Sequence, residues 1–415
     1  MIGVAIVGAG TIGLIHAEAV RRHPRLHVAA IIDPDAAARR KLVEHIGNAA
    51  EADEAAEAAE PAETAETPEA AEAAKAVGAP APDSANPSRS LAPAEFASLA
   101  EALAAGGIDL VAVCVPSGLH AAAVAEALAA GVHVLVEKPV DVSLPQARRL
   151  AALAERAARR GVLCSVVSQH RFDPAAAVVA AAVAEGRMGR VTSAVASVAW
   201  WRGQDYYDSA PWRGTRALDG GGALMNQGVH TVDLLAWLLG RPVEVSAHTA
   251  LLAHEAIEVE DVATATIRFA SGALAVLHAT TAAYPGLSVR LQIHGSRGSA
   301  VLHDDQLEYF HVARHGGGTT AGPYGGAEPD NQAADVVPAS ELRGHPKAAD
   351  AMVVGHLRQY QDVAEAIETG RPPGVTVQDG LMAVAIVRAV YVSSALGRPV
   401  DINALLNGDY DDAAL

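Results

Sequence analysis

Two short stretches carry residue types that can do chemistry. Glu137-Lys138-Pro139 closes an apolar run with a carboxylate and an ammonium. Asn226-Gln227-Gly228-Val229-His230 sets an amide and an imidazole four residues apart. On a helix that spacing puts Asn226 and His230 on one face, one turn apart, and Asp233 can reach the same face. An imidazole titrating near ~6.5 can take up a proton at neutral pH. A lysine ammonium can hydrogen-bond an oxygen and stabilise negative charge growing on it. In dry surroundings its pKa falls, and it can exchange the proton itself. Read alone, Glu137 and Lys138 could equally be solvated charges at a strand end. Asn226 and His230 could be the polar stripe of a surface helix. The Gly220-Gly221-Gly222 run just before Asn226 argues against that stripe, because glycines let another group approach the backbone closely.

These residues need a scaffold that brings them to one edge. The run Gly131-Val132-His133-Val134-Leu135-Val136 is nearly apolar throughout, as in a parallel sheet covered on both faces. Ligands of such sheets sit at the carboxyl ends of the strands, where Glu137 and Lys138 fall. At the chain's start, the run Ile2 to Val7 is followed by Gly8-Ala9-Gly10-Thr11-Ile12-Gly13 and a helical pattern through Val20. Strand, G-x-G-x-x-G and helix in that order form a dinucleotide-binding fingerprint. Gly8 makes the tight turn, Gly10 lets the backbone approach a pyrophosphate, and Gly13 lets helix and strand pack closely. The helix start, from Thr11 and Ile12 onward, offers free N–H groups to the phosphates. A second strand, His27 to Ile32, ends at Asp33, 20 residues past Gly13. A carboxylate there accepts hydrogen bonds from the adenosine ribose and repels a 2′-phosphate, so NAD is favoured over NADP. Asp33 could also cap a helix in Asp33-Pro34-Asp35.

Helices are then expected from Asp35 to His45, Glu95 to Ala105, up to Ala130, and Leu144 to Arg160, with strands from Ile108 to Val115 and Val162 to Val167. Strands alternate with helices, so the expected fold is α/β: an N-terminal Rossmann domain over residues 1–171, built on a doubly wound, mostly parallel sheet. After Arg171 strands joined by short turns, such as Ala270-Ser271-Gly272, predict a C-terminal α+β domain with a mainly antiparallel open sheet over 172–406. The last strand read there runs from Gly298 to His303. Residues 48–93 read as a low-complexity, largely disordered insertion. A glutamate recurs every third residue from Glu51 to Glu72, which makes no apolar stripe, and Pro61 and Pro68 interrupt any helix. Residues 314–347 read as a long loop and 407–415 as a frayed tail.

A net charge of −17 makes nucleic acid an unexpected partner, since phosphate neutralisation needs clustered Lys and Arg. The two cysteines, Cys114 and Cys164, lie in apolar runs and read as buried free thiols of a reducing compartment. Met1 to Gly8 lacks the basic start of a leader, and no run approaches ~18 uninterrupted apolar residues, so no membrane span and a cytoplasmic location are expected. The one dense set of possible metal ligands, His254-Glu255 with Glu258, Glu260 and Asp261, lacks ligand spacing and reads as a solvated turn; no metal is expected.

The sequence resembles the Gfo/Idh/MocA family, the glucose–fructose oxidoreductase and inositol dehydrogenase group. The resemblance rests on Gly8 to Gly13, Pro116-Ser117-Gly118-Leu119-His120, Glu137-Lys138-Pro139, and Gly220 through Asp233. Trp212-Arg213-Gly214-Thr215 and Gly355-His356 with Gln359 and Asp362 add to it. It implies a two-domain NAD(P)-dependent oxidoreductase, a homodimer or homotetramer packed through the open sheet face. By the same resemblance Lys138 and His230 are the active-site lysine and histidine. Asn226 stands where the family often has Asp, which removes a charge and puts a His–Asp relay in doubt. Glu137 would touch the nicotinamide ribose. Pro116, Ser117 and His120 would line the cofactor cleft, and Trp212 and Arg213 would pack beside the nicotinamide. His16 reads as structural, and Arg171 as reaching either the cofactor or the domain junction.

The resulting expectation is hydride transfer between NAD and a secondary hydroxyl of a sugar, an inositol-like polyol or a sugar derivative. Either His230 or Lys138 would handle the proton. Two rivals remain: an enzyme of the same family that oxidises transiently during glycoside cleavage or epimerisation, and a non-catalytic NAD-binding sensor. Trp200, Trp201, Tyr206, Tyr207 and Tyr284 are candidate faces for a sugar.

Overall fold

The computed structural model describes residues 1–59, 92–313 and 330–413. Its first lobe runs β1 (Ile2–Val7), α1 (Thr11–Arg22), β2 (Leu26–Ile32), α2 (Ala36–Ala59), β3 (Ala94–Phe96), α3 (Leu99–Ala105), β4 (Leu110–Val113), α4 (His120–Ala129), β5 (His133–Val136), α5 (Leu144–Ala158) and β6 (Cys164–Val166). All pairings are parallel, in the order β3-β2-β1-β4-β5-β6. Alternate residues of each strand feed opposite sides, as the period of two requires. Val7, Val113 and Val136 join the core under α4 and α5, whereas Ile6, Ala112 and Leu135 join the core under α1. The strand order reverses between β1 and β4, which opens a crevice at the carboxyl edge.

The second lobe runs α6 (Pro174–Ala184), β7 (Val191–Ala199), α7 (Gln204–Asp208), a single π-helical turn (Ala223–Gly228), α8 (Val229–Leu239), β8 (Pro242–Ala250), β9 (Val262–Phe269), β10 (Leu274–Thr280), β11 (Val289–Gly295), β12 (Gly298–His303), β13 (Gln306–Val312), α9 (Ala333–Val336), α10 (Ala351–Thr369), α11 (Val377–Leu396), β14 (Val400–Asp401) and α12 (Ile402–Asn407). Its eight strands lie in the order β13-β12-β11-β7-β10-β9-β8-β14, antiparallel except for β7 against β10. Helices α8 and α11 cover one face. The other face leaves Val195, Leu274 and Val276 exposed. Helix α11 has the length and apolarity to cross a membrane, yet over half of that stretch is buried inside the protein, where it serves as a core helix. A capping box, Thr376 with Asp379, starts it, and Gly397 in the left-handed region ends it.

Several expectations are corrected. Ala94–Phe96 is an edge strand paired with β2 rather than the start of a helix, because Ser98 caps α3 by accepting from the Glu101 N–H. Helix α2 runs on to Ala59, past the expected end at His45, since alanine and glutamate favour helix and no proline intervenes before Pro61. The rest of the expected insertion, residues 60–91, lies outside the described residues, as do 314–329 of the expected loop. The remainder of that loop contains α9 and a 3₁₀ turn at Ala339–Glu341. Strand β13 was not foreseen. It pairs with β12 through Asp304 and Asp305, both at positive φ (49° and 63°), the two-residue turn that suits the strand twist. The expected frayed tail is docked through residue 413: Arg148 pairs with Asp411, and Arg388 donates to the Ala413 carbonyl. Finally, α10 turns back onto the first lobe, where Tyr360, Val363 and Ala364 pack in the core under α1.

Replacing residues 60–91 with a short Gly/Ser link should leave the unfolding temperature unchanged, because the repeat makes no apolar stripe and β3 still reaches β2. A large drop in that temperature, or insoluble protein, would show that the segment supports the fold.

Candidate active site

The fingerprint forms a cradle. Gly8 has φ of 106°, and a Cβ on Gly13 would lie 2.0 Å from the Gly8 carbonyl oxygen, so helix and turn meet too closely for any side chain. At Gly10 a Cβ would meet nothing within 4 Å, which leaves an open approach to the backbone. Gly10 caps α1 without a side-chain bond, so the first N–H groups of the helix point into that space, next to the exposed Thr11. Ile12 turns the other way and packs against the core. Asp33 stands at the end of β2. Its carboxylate accepts from the Ala9 and Asp35 N–H groups, both at 2.9 Å, which ties it to the fingerprint turn. Arg39, a nearby cation, donates to the Asp33 carbonyl and faces Glu95. The residues present fit a dinucleotide: an open glycine turn, a helix start and a carboxylate at the ribose end.

Pro116 and Ser117 follow β4 and face the same edge, half-buried. The Ser117 side chain makes no hydrogen bond among the described residues, while its carbonyl accepts from the His120 N–H. Next to them Gly118 touches the second lobe, its N–H donating to the Leu218 carbonyl. His120 is placed otherwise than expected. It is fully buried, and its two ring nitrogens meet the Pro139 and Val115 carbonyls at 2.7 and 2.9 Å. It ties the loops after β4 and β5 together instead of lining the cleft.

Glu137 lies at the end of β5 and is also buried. His16 and His356 both approach its Oε1, at 3.0 and 3.3 Å, while Oε2 accepts from the Lys138 N–H. Burial opposes the Glu137 charge, but the two histidine hydrogen bonds hold its carboxyl well below the usual range. His16 bonds Tyr360 through its other nitrogen, so it is structural. Lys138, one residue on, points across to the second lobe, where Nζ donates to the Asn226 carbonyl at 3.0 Å. Burial lowers its pKa, and the charges of Glu137 and Asp219 work the other way.

Asn226 and His230 sit where the π-helical turn passes into α8. A π turn within a helix is common at functional sites. Its start is held by Glu260, whose carboxylate accepts from the Gly222 and Leu224 N–H groups, both at 2.9 Å. A Cβ on Gly222 would lie 1.7 Å from the Glu260 carbonyl, and one on Gly220 would lie 2.5 Å from Val142, so the glycine run is required by contact. Of the cluster expected to be a solvated turn, Glu255 and Glu258 are exposed, but His254, Glu260 and Asp261 are buried: Glu260 holds the π turn, and Asp261 accepts from three successive N–H groups and faces His254.

The His230 ring makes no hydrogen bond among the described residues. Its ring meets the edge of His170, centroids 5.0 Å apart. With Lys138 it lines a cavity of about 20 Å³, room for a water molecule. On its other side it lines a cavity of about 340 Å³ with Trp200, Gln227, His170 and Lys347. Burial and the Lys138 charge push its pKa well down, so it is neutral at pH 7. His170 goes the opposite way. Burial opposes its charge, but Asp305 and Asp173 outweigh it and raise the pKa. Trp212 and Arg213 are half-buried beside this region, with the Arg213 guanidinium 4.2 Å over the Tyr206 ring and 4.6 Å over Trp212.

Comparison with known proteins agrees with this geometry. Residues 2–166 match the model of an oxidoreductase family with an NAD-binding Rossmann fold, and 177–301 match the GFO/IDH/MocA C-terminal domain. The chain belongs to the Gfo/Idh/MocA oxidoreductases. The scyllo-inositol 2-dehydrogenase (NAD(+)) of Bacillus subtilis is 26% identical, with 73% of this chain matched to 80% of that one. The Bordetella pertussis WlbA dehydrogenase, solved with NADH and UDP-GlcNAcA, is 27% identical and aligns 96% of this chain with 97% of its own at a TM-score of 0.72. An oxidoreductase domain protein from Kribbella flavida gives 26% identity and a TM-score of 0.75, with 97% and 99% covered.

In this Gfo/Idh/MocA chain Arg171 serves the domain junction. It holds Asp233 with two hydrogen bonds of 2.7 and 2.6 Å and reaches Asp379 at 3.2 Å, and Ser168 also donates to Asp233. Asp233 lines the same small cavity as His230, but its carboxylate is taken by Arg171 and Ser168. Two residues escape sequence reasoning, Asp219 and His170. Asp219 accepts from the Asn226 side chain at 2.6 Å, and its position just before the glycine run was the available hint.

The opposed environments of the two histidines are measurable in the free protein. Ring NMR signals should show His230 titrating well below pH 6.5 and His170 above it. Because its folded pKa is the lower one, His230 contributes stability that is present above its unfolded value and lost as pH falls through the folded pKa. A His230 ring that titrates at or above the ordinary value would contradict the site's electrostatics.

Proposed function

We propose that this protein is an NAD-dependent dehydrogenase acting on a secondary hydroxyl of a sugar, polyol or sugar derivative. The observation that carries the reading is the meeting of Lys138 and His230 across a small cavity, at the sheet edge where the glycine cradle opens. Bound NAD would supply the hydride acceptor. Lys138 would donate a hydrogen bond to the substrate oxygen and stabilise the alkoxide as it forms. Neutral His230 would accept the hydroxyl proton, directly or through one water. The larger cavity beyond His230 would hold the rest of the substrate. Its Trp200 offers a flat face, and Arg202 lies over that ring and bonds Gln227. Tyr207 is a poorer candidate face, being buried with its hydroxyl on Thr281.

The names of similar proteins support a carbohydrate substrate: inositol, D-apiose and a nucleotide-linked sugar acid. We read the exposed apolar face of the second sheet as the surface through which copies of the chain pair, and the protein as cytoplasmic.

The test is a panel of inositols, aldoses, uronic acids and nucleotide sugars with NAD, followed by release of NADH. His230→Ala should lower turnover on the best substrate by roughly 10² or more, the usual scale for a lost acid–base group. Tight NAD binding with no turnover of any member, in either direction, would sink the dehydrogenase reading. Cofactor choice is expected to follow Asp33. NAD should outcompete NADP in kcat/KM, and Asp33→Ser should narrow the gap by relieving repulsion of the 2′-phosphate. An unchanged ratio would remove Asp33 from the cofactor site.

A further inference from the structure

We propose that Asp219 is the positioning carboxylate of this active site, orienting Asn226 and holding the charge of Lys138. The proposal rests on the dehydrogenase reading for its consequence, but the contacts stand without it. Asp219 is only 4% exposed, and both its oxygens are engaged: Oδ2 by the Gly214 N–H at 2.8 Å and Oδ1 by the Asn226 side-chain N–H at 2.6 Å. A carboxylate only accepts hydrogen bonds, so the group that Asn226 turns toward it must be Nδ2. The amide is thereby fixed in one orientation. Its Oδ1 has no partner among the described residues and is free to accept from a substrate hydroxyl. The Asn226 backbone carbonyl, in turn, receives the Lys138 ammonium. One residue thus links Asp219 to Lys138, through its side chain on one hand and its carbonyl on the other.

The charges around Lys138 explain why a carboxylate is needed at 219. Among the described residues, Glu137, Asp219, His230 and His120 act on its charge, and Asp233, held by Arg171, lines the same small cavity. Glu137 is already shared between His16 and His356. Asn226 and neutral His230 bring no negative charge. Asp219 is the second-lobe carboxylate that acts on the ammonium, since Asp233 is paired with Arg171. With Asn at 226, the negative charge stands one hydrogen bond further back, leaving the amide to touch substrate.

The alternative is that Asp219 merely staples the 214–220 turn. Exchange of the pair separates the two roles. Asp219→Asn removes the charge, Asn226→Asp sets two carboxylates against each other, and the double variant D219N/N226D restores one carboxylate and one amide with roles reversed. The chain has only four lysines, Lys41, Lys75, Lys138 and Lys347, so the Lys138 signal can be followed by NMR on protein carrying ¹³C-lysine, with Lys138→Arg for assignment. The Lys138 titration should move down in D219N and return in the double variant. An unmoved titration in D219N with a native melting curve overturns the proposal. Should D219N fail to fold, the double variant decides, since it keeps a carboxylate–amide bond. Wild-type-like Lys138 titration there supports the proposal, and a displaced or lost one overturns it, as does failure of the double variant to fold. No substrate enters this measurement, so its failure is distinct from failure of the dehydrogenase reading.

Discussion

A buried ammonium is the constraint on which the site is built. Lys138 leaves water at the end of β5, and an unpaired charge in that position would cost several kcal/mol or lose its proton. The fold answers with oxygen atoms from both lobes. Glu137 comes from its own strand, the Asn226 carbonyl from the π turn, and the Asp219 charge from behind that turn. Each of these is itself held by another group. Glu137 needs His16 from α1 and His356 from α10; Asn226 needs the glycine run that lets the turn approach. A charge that must be dry thus organises parts of the chain more than two hundred residues apart.

The same constraint explains the junction. Lys138 belongs to the first lobe and its acceptor to the second, so the lobes must meet in one register. Arg171 and Asp233 set that register as a bidentate, buried pair, with Ser168 on the same carboxylate and Gln359 bridging the Ser168 N–H and the Val166 carbonyl. Removing one partner of such a pair costs about 3–5 kcal/mol, because the other is left charged and dry. Helix α10 adds a strap: it leaves the second lobe, packs under α1, and delivers His356 to Glu137. The cleft is therefore built by contacts that cross between the two lobes.

Most of the first lobe was legible because its signals are local. A strand, a glycine turn and a helix lie consecutively from Ile2 to Arg22, and Gly8 and Gly13 must be there for contact reasons alone. Asn226 and His230 stood out in the sequence by their spacing, although the π turn that changes that spacing did not. What the sequence hid depends on distant partners. Asp219 has no periodic neighbour, and its meaning appears only when Asn226 folds back onto it. Glu260 looked solvated because nothing in its neighbourhood reveals that the π turn will land on it. His120 looked like a cleft residue through the family resemblance. Two carbonyls from separate loops give it a structural post instead. His170 lay in a linker whose only visible cue was the adjacent arginine.

The residue four before His230 is an amide, Asn226, rather than a carboxylate. A carboxylate hydrogen-bonded to an imidazole raises its basicity. Here Asp233 is taken by Arg171, Asp219 bonds Asn226, and Lys138 stands close by, so His230 is left a weak base in dry surroundings. A weak base holds a proton loosely. An imidazolium formed there would face the ammonium on one side and the edge of His170 on the other, both unfavourable to a second positive charge. The arrangement suits a group that takes a proton only while negative charge is developing beside Lys138 and releases it once that charge is gone. On the proposed dehydrogenase reading, proton transfer would be tied to the moment of reaction by electrostatics rather than by a fixed relay.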